Sequence, residues 1–179
     1  MAINLFGYGQ SSKWTAEDGP QSLLDQVNLF QPLLERFDEP VSFIGHSFGG
    51  SVAMRAALKY HNQMKTLILL EPNPFFLFSQ VKQPIAYSES RKFGALLKLY
   101  EEKEDWEGFS KIFLSFWIGD HAWSAMRKKQ QQVFLSVIPN IYHEAEAIFS
   151  EQMKIKDFLN IQEKILLGND IDKNIEYIK

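Results

Sequence analysis

Val41-Ser-Phe-Ile-Gly45-His46-Ser47-Phe48-Gly49-Gly50 is the stretch on which the reading of the whole chain turns. Val41–Gly45 is a short apolar run of strand length. Val52, Ala53, Ala56 and Ala57 then form a small-residue helix face able to lie close against a sheet. Between the two stands G-x-S-x-G. In so tight a strand-to-helix turn the central Ser47 is forced into a strained backbone conformation, and the glycines on either side leave room for the crossing chain. The turn presents the Ser47 hydroxyl at the carboxyl end of the sheet, where the next helix begins. There the helix dipole and the free N–H of Phe48 favour an oxyanion. The plain alternative is a glycine-rich turn without chemistry.

Outward from this turn, strand and helix alternate. Residues 2–6 are a short apolar run stopped by Gly7-Tyr-Gly9 and read as a strand ending in a tight loop. Leu23, Val27, Phe30, Leu34 and Phe37 give residues 20–37 an amphipathic helical spacing, with Pro20 at its opening and Pro32 kinking or dividing it. Thr66–Leu70 is a further strand, closed by Glu71-Pro-Asn-Pro74. This alternation predicts a parallel sheet with helices on its faces. After Pro74 the pattern changes. Residues 75–158 hold most of the aromatics, with helical spacing at Leu96/Leu97/Tyr100 and Val133/Val137, and read as a helical insertion over the sheet. Ile165-Leu-Leu-Gly168 returns as a strand, and residues 172–179 start a helix.

Composition narrows the function classes. The 179 residues are 45% hydrophobic and 14% aromatic, enough to bury a real core. A net charge of −3 gives no electrostatic reason to expect nucleic acid or an anionic membrane. With no Cys, disulfides, thiolate metal sites and Cys nucleophiles are excluded, and four His allow at most a sparse metal site. The N-terminus lacks the basic and apolar regions of a signal peptide, and no apolar run reaches the roughly 18 residues of a membrane span. A cytoplasmic location is the default expectation.

These motifs resemble the alpha/beta hydrolase family, specifically its single-domain esterase, lipase and C–C hydrolase type. Asn4-Leu-Phe-Gly7-Tyr8-Gly9-Gln-Ser11 is similar to the family's D-x-x-G-x-G-x-S segment after the fourth strand, with Asn4 in place of the usual Asp. Gly45–Gly50 matches the fifth-strand elbow, Leu67–Pro72 the sixth strand, and Ile165–Gly168 the seventh. The implied architecture is a partial alpha/beta hydrolase fold, mostly parallel, with flanking helices and a helical cap. Residues 1–74 would form the first part of the core, 75–158 the cap, and 159–179 a truncated return to the core.

The resemblance implies a triad in the order Ser, acid, His. Ser47 would be the nucleophile and the Phe48 N–H an oxyanion donor. Two acid positions are open. Glu71 follows the sixth strand directly, and Asp170 and Asp172 follow Gly168. The family's usual acid lies three residues beyond that glycine, where Ile171 stands. The plain readings are a solvated strand end for Glu71 and a helix N-cap for Asp172. The base is missing from its family place, since no His follows Asp172. His46 reads as a packing residue pointing away from Ser47, His61 as a helix-end surface residue, and His121 and His143 as insertion residues. His121 sits in the loop Gly119-Asp120-His121, the best placed of the four to face the site.

Against the family, the chain also lacks the first three strands, the last strand and the H-G loop that supplies a second oxyanion donor. The family's third strand lies between its fourth and fifth, so residues 2–6 and the facing edge of residues 41–45 would be left unpaired or rearranged. Such an edge favours self-association. Other constellations fail. The elbow has no G-K-[ST], Ser12 stands where a dinucleotide fingerprint needs Gly, and His143-Glu144 lacks the second His of a zinc motif and reads as a solvated helix face. The run Phe109, Phe113, Phe116, Trp117 reads as core first and ligand wall second. The expectation is a hydrolase of small, apolar carboxylic esters or related acyl substrates, without cofactor or metal. The alternative is an inactive hydrolase-fold chain that binds an apolar ligand or a partner chain.

Overall fold

The computed structural model describes residues 1–81, 83–159, 161, 164–168 and 176–178. In chain order its main elements are α1 (Leu23–Asn28), α2 (Gln31–Leu34), β1 (Val41–His46), α3 (Phe48–Lys59), β2 (Met64–Leu70), α4 (Pro84–Glu102), α5 (Trp106–Trp117), α6 (Ala122–Ala125), α7 (Lys128–Ser150), β3 (Lys164–Gly168) and β4 (Glu176–Ile178). The strands form one sheet in the order β1-β2-β3-β4. The β1–β2 and β2–β3 pairs are parallel, with Gly45 opposite Leu69 and Leu70 opposite Gly168, which aligns the carboxyl ends of the three strands.

Local chemistry sets the element ends. Ser22 caps α1 in a capping box with Asp25, which satisfies backbone donors at the helix start. Pro20 therefore precedes the helix rather than opening it. Pro32 divides the predicted long helix, because it is tolerated only in the first turn of a new one, α2. The small face of α3 packs on β1 and β2. Val52, Ala53, Ala56 and Ala57 join Leu23, Val27, Phe43, Leu67 and Leu69 in one apolar core. Phe93, Leu97, Phe109 and Ile138 make a second core among α4, α5 and α7. Phe75 packs against both. Among the described residues no helix is long and apolar enough to cross a membrane.

Two expectations are overturned. Residues 2–6 form no strand. The Phe6 N–H donates to Oε1 of the fully buried Gln26 at 3.0 Å, and the Asn4 carbonyl accepts from the Ser11 hydroxyl at 2.6 Å. The Gly7 N–H turns back to the Ser12 carbonyl at 2.8 Å. With these backbone groups held by side chains and a turn, the segment stands apart from the sheet and leaves β1 at its edge. Residues 176–178, expected in a helix, instead pair antiparallel with β3. Helices also leave part of the sheet bare: Ser42, Ile44 and His46 are exposed along β1, with Ile44 66% accessible.

Candidate active site

Ser47 sits between the last residue of β1 and the first of α3, with φ 52° and ψ −122°. An L-residue adopts such a conformation only when its surroundings impose it. Here the Ser47 N–H donates to the Leu70 carbonyl at 3.0 Å, which extends the sheet one residue past β1. The Ser47 carbonyl accepts from the Gly50 N–H at 2.9 Å, which closes the first turn of α3. Two glycines make the crossing feasible. A Cβ on Gly45 would run into the Gly49 carbonyl, and one on Gly50 would lie 2.9 Å from Cβ of Pro72. Gly49 itself has open space where a Cβ would stand, so the crowded pair is Gly45 and Gly50 rather than Gly45 and Gly49. As the first residue of α3, Phe48 has an N–H without an intrahelical acceptor.

Ser47 opens into a cavity of about 60 Å³. Phe75, Phe93, Phe113, Trp117 and Phe149 supply rings to its wall, so α4, α5 and α7 all meet above the elbow. Among the described residues, the polar side chains besides Ser47 that line it are Asn73 and Glu144. Asn73 is held in place by the buried Ser51, whose hydroxyl donates to Asn73 Oδ1 at 3.0 Å. Glu144 lies on the face of α7 that lines the cavity, with Ile141, Ala145 and Ile148. Desolvation there raises its pKa from the usual 4.5 to about 7, against a smaller lowering by hydrogen bonding with the Tyr8 side chain. The same burial, reinforced by the carboxylate, raises the pKa of Tyr8 and keeps its hydroxyl protonated. A second link fixes α7 to this loop: Asn140 Nδ2 donates to the Gly7 carbonyl at 2.8 Å.

A family model described as the alpha/beta hydrolase fold matches residues 1–97, more than half of the sequence. The chain belongs to the alpha/beta hydrolase family. It is 36% identical over 85 residues to lipase LipV of Mycobacterium tuberculosis, covering 47% of this chain and 31% of the lipase. It is 32% identical over 75 residues to abhydrolase domain-containing protein abhd-5.2 of Caenorhabditis elegans, covering 40% of this chain and 16% of that protein. The chain thus matches less than a third of the length of either relative. Among solved structures, MGS-M2, an alpha/beta hydrolase enzyme from a Medee basin deep-sea metagenome library, superposes with a TM-score of 0.64 at 18% identity. That likeness covers 92% of this chain and 58% of MGS-M2. A probable hydrolytic enzyme from Pseudomonas aeruginosa PAO1 superposes with a TM-score of 0.50 at 19% identity, covering 93% of this chain and 53% of that one.

The other sequence-predicted residues are more scattered. Glu71 ends β2 with φ 45°, and its N–H donates to the Gly168 carbonyl at 2.8 Å. Its carboxylate lies 3.7 Å from His46 Nε2 on the solvent side, and it does not line the Ser47 cavity. Asp170 and Asp172 fall outside the described residues. None of the four His lines the cavity. His61 is an exposed helix-end residue as expected, and His121 is an exposed residue at the start of α6. His143 is paired at 3.7 Å with Glu146 along α7. Glu144 was expected on a solvated face, and its place at the cavity overturns that. The aromatic run divides: Phe109 is buried in the second core, while Phe113 and Trp117 line the cavity.

Proposed function

We propose that the chain carries the nucleophile half of a serine hydrolase acting on small carboxylic esters or related acyl substrates. The observation that carries this reading is the left-handed backbone of Ser47 at the floor of an aromatic-walled cavity. Ser47 Oγ would bond to the acyl carbon as its proton passes to a base. The acyl–oxygen bond would then break, and water would later release the acid. The Phe48 N–H would stabilise the tetrahedral oxyanion. The helices of residues 75–158 would act as the cap, its rings selecting compact apolar acyl groups. Glu71 or Asp172 would orient a His other than the four in this sequence; in its absence solvent or buffer takes the Ser47 proton, so an activated ester, whose leaving group needs no protonation, is expected to acylate Ser47 slowly, with turnover by this chain alone slower still. The test is the burst of p-nitrophenolate from p-nitrophenyl acetate. About one equivalent per chain, abolished in Ser47→Ala, supports the reading, and no burst from folded protein overturns it.

One observation favours a second reading, that the chain binds without catalysis: no His lines the Ser47 cavity. A partner would then meet the exposed edge of β1. There a groove of about 470 Å³, walled by Ile3, Phe30, Leu34, Phe43 and Val52, opens between the N-terminal segment and the sheet. Self-association through this edge is part of the same reading.

A further inference from the structure

We propose that the end of α5 and the start of α7 form a docking site for an anionic lipid surface, in which Phe116, Trp117 and Ile118 enter the interface while Arg127, Lys128 and Lys129 meet the headgroups. The docking site stands apart from the hydrolase reading above; only its consequence for Ser47 rests on that reading.

Three consecutive large apolar residues close α5 and its cap, and all three are exposed, Trp117 to 45% and Ile118 to 72%. Single apolar residues on a surface need no explanation, whereas a run of them marks a place where something apolar is met. Ring contacts carry the patch toward α7. The Trp117 and Phe113 centroids lie 6.4 Å apart, as do those of Phe113 and Phe134. Phe134 lines a groove of about 440 Å³ together with Met126, Val137 and the exposed Val133. Tryptophan is suited to this position, because its amphipathic ring favours the boundary between headgroups and acyl chains.

Charge decides what covers the patch. From His121 to His143 the sequence holds no Asp or Glu, although the whole chain carries −3. The cations of this segment, Arg127, Lys128 and Lys129, are exposed where α7 begins, and Arg127 and Lys129 line the same groove as Val133. Among the described residues none of the three pairs with a carboxylate. Asp120, the acid just before the segment, accepts from the Ser115 hydroxyl. The net charge therefore conceals a local cationic excess beside an apolar patch. That combination fits an anionic membrane surface, which attracts each nearby Lys or Arg while the apolar side chains leave water. A second copy docked through the same face would set like cations against each other, and lysine is depleted from protein interfaces. Trp117 also lines the Ser47 cavity, so docking holds that cavity at the lipid boundary. On the hydrolase reading, the acyl substrates are then those that partition into that boundary.

The experiment is flotation of the full chain with vesicles of phosphatidylcholine alone and of phosphatidylcholine mixed with phosphatidylglycerol. The chain is expected to float with the mixed vesicles, to float far less with the neutral ones, and to be released as salt is raised. Replacing Lys128 and Lys129 by Gln should weaken partitioning about fivefold for each cation removed. Ile118→Ser should weaken it about tenfold through the lost apolar burial. These side chains are exposed, so circular dichroism should show the variants folded as wild type. No flotation with the mixed vesicles overturns the proposal, as does equal flotation with both compositions or flotation of the folded variants as strong as wild type. Self-association in sedimentation that Ile118→Ser abolishes also overturns it, the result expected if the patch is a contact between copies. Ser47→Ala should float as the wild type does, because the nucleophile takes no part in docking. Docking without acylation of Ser47 would keep the lipid surface and remove the hydrolase reading, and acylation without docking would do the reverse.

Discussion

Ser47 and Glu144 each hold a state that an isolated residue would leave. Residues held in sparsely populated backbone regions cost of order 1–3 kcal/mol, and φ 52° with ψ −122° is a region glycine enters freely. Ser47→Gly is therefore expected to stabilise the fold by about 1 kcal/mol in urea denaturation while abolishing acylation, and Ser47→Ala to abolish acylation without that gain. Glu144 gives a pH signature. Its folded pKa of about 7 lies above the usual 4.5, so between those values the folded chain keeps a proton that the unfolded chain has released. Stability from this group is full below pH 4.5 and is lost as pH rises through about 7. At about 1.4 kcal/mol per unit the loss is of order 3 kcal/mol. Denaturation midpoints measured from pH 4.5 to 8 should show that decline in the wild type and a flatter profile in Glu144→Gln.

At the scale of elements, α3 and its entry were legible because their determinants are local. The glycine spacing, the preceding apolar run and the small-residue face all lie within about ten residues, or three helical turns, of the bend they specify. The structure still sharpens which glycine matters. Gly50→Ala should destabilise by about 1–3 kcal/mol, because the new methyl meets Pro72 Cβ at 2.9 Å. Gly49→Ala should be neutral or stabilising by up to about 1 kcal/mol, since its surroundings are open and alanine favours the helix. Paired urea titrations check the contrast. What escaped the sequence depends on distant partners. Residues 2–6 have strand-like composition, but their hydrogen bonds go to Gln26 and to their own turn. Residues 176–178 are fixed by pairing with β3, not by propensity. Glu144 looks solvated on α7 until Asn140 and Tyr8 dock that helix against the Gly7 loop. Glu71 is adjacent to the right strand, yet its backbone turn carries it toward His46 rather than to the cavity.

Among the described residues, two apolar cores meet at Phe75, with Ser47 at the seam and β1 at an edge of the sheet. The edge and the seam are independent, so association and chemistry should be separable. Sedimentation is expected to show concentration-dependent self-association that Ile44→Lys reduces, because a charge on an exposed edge strand opposes pairing. Acylation should persist in that variant. The seam carries the central claim, that the bend between β1 and α3 makes one serine hydroxyl reactive. Labelling the folded chain with a fluorophosphonate and mapping the adduct by peptide mass spectrometry addresses it most directly. The account predicts a single phosphonylated residue, Ser47. An adduct on any other side chain, or an unmodified peptide spanning Val41–Lys59, would contradict it.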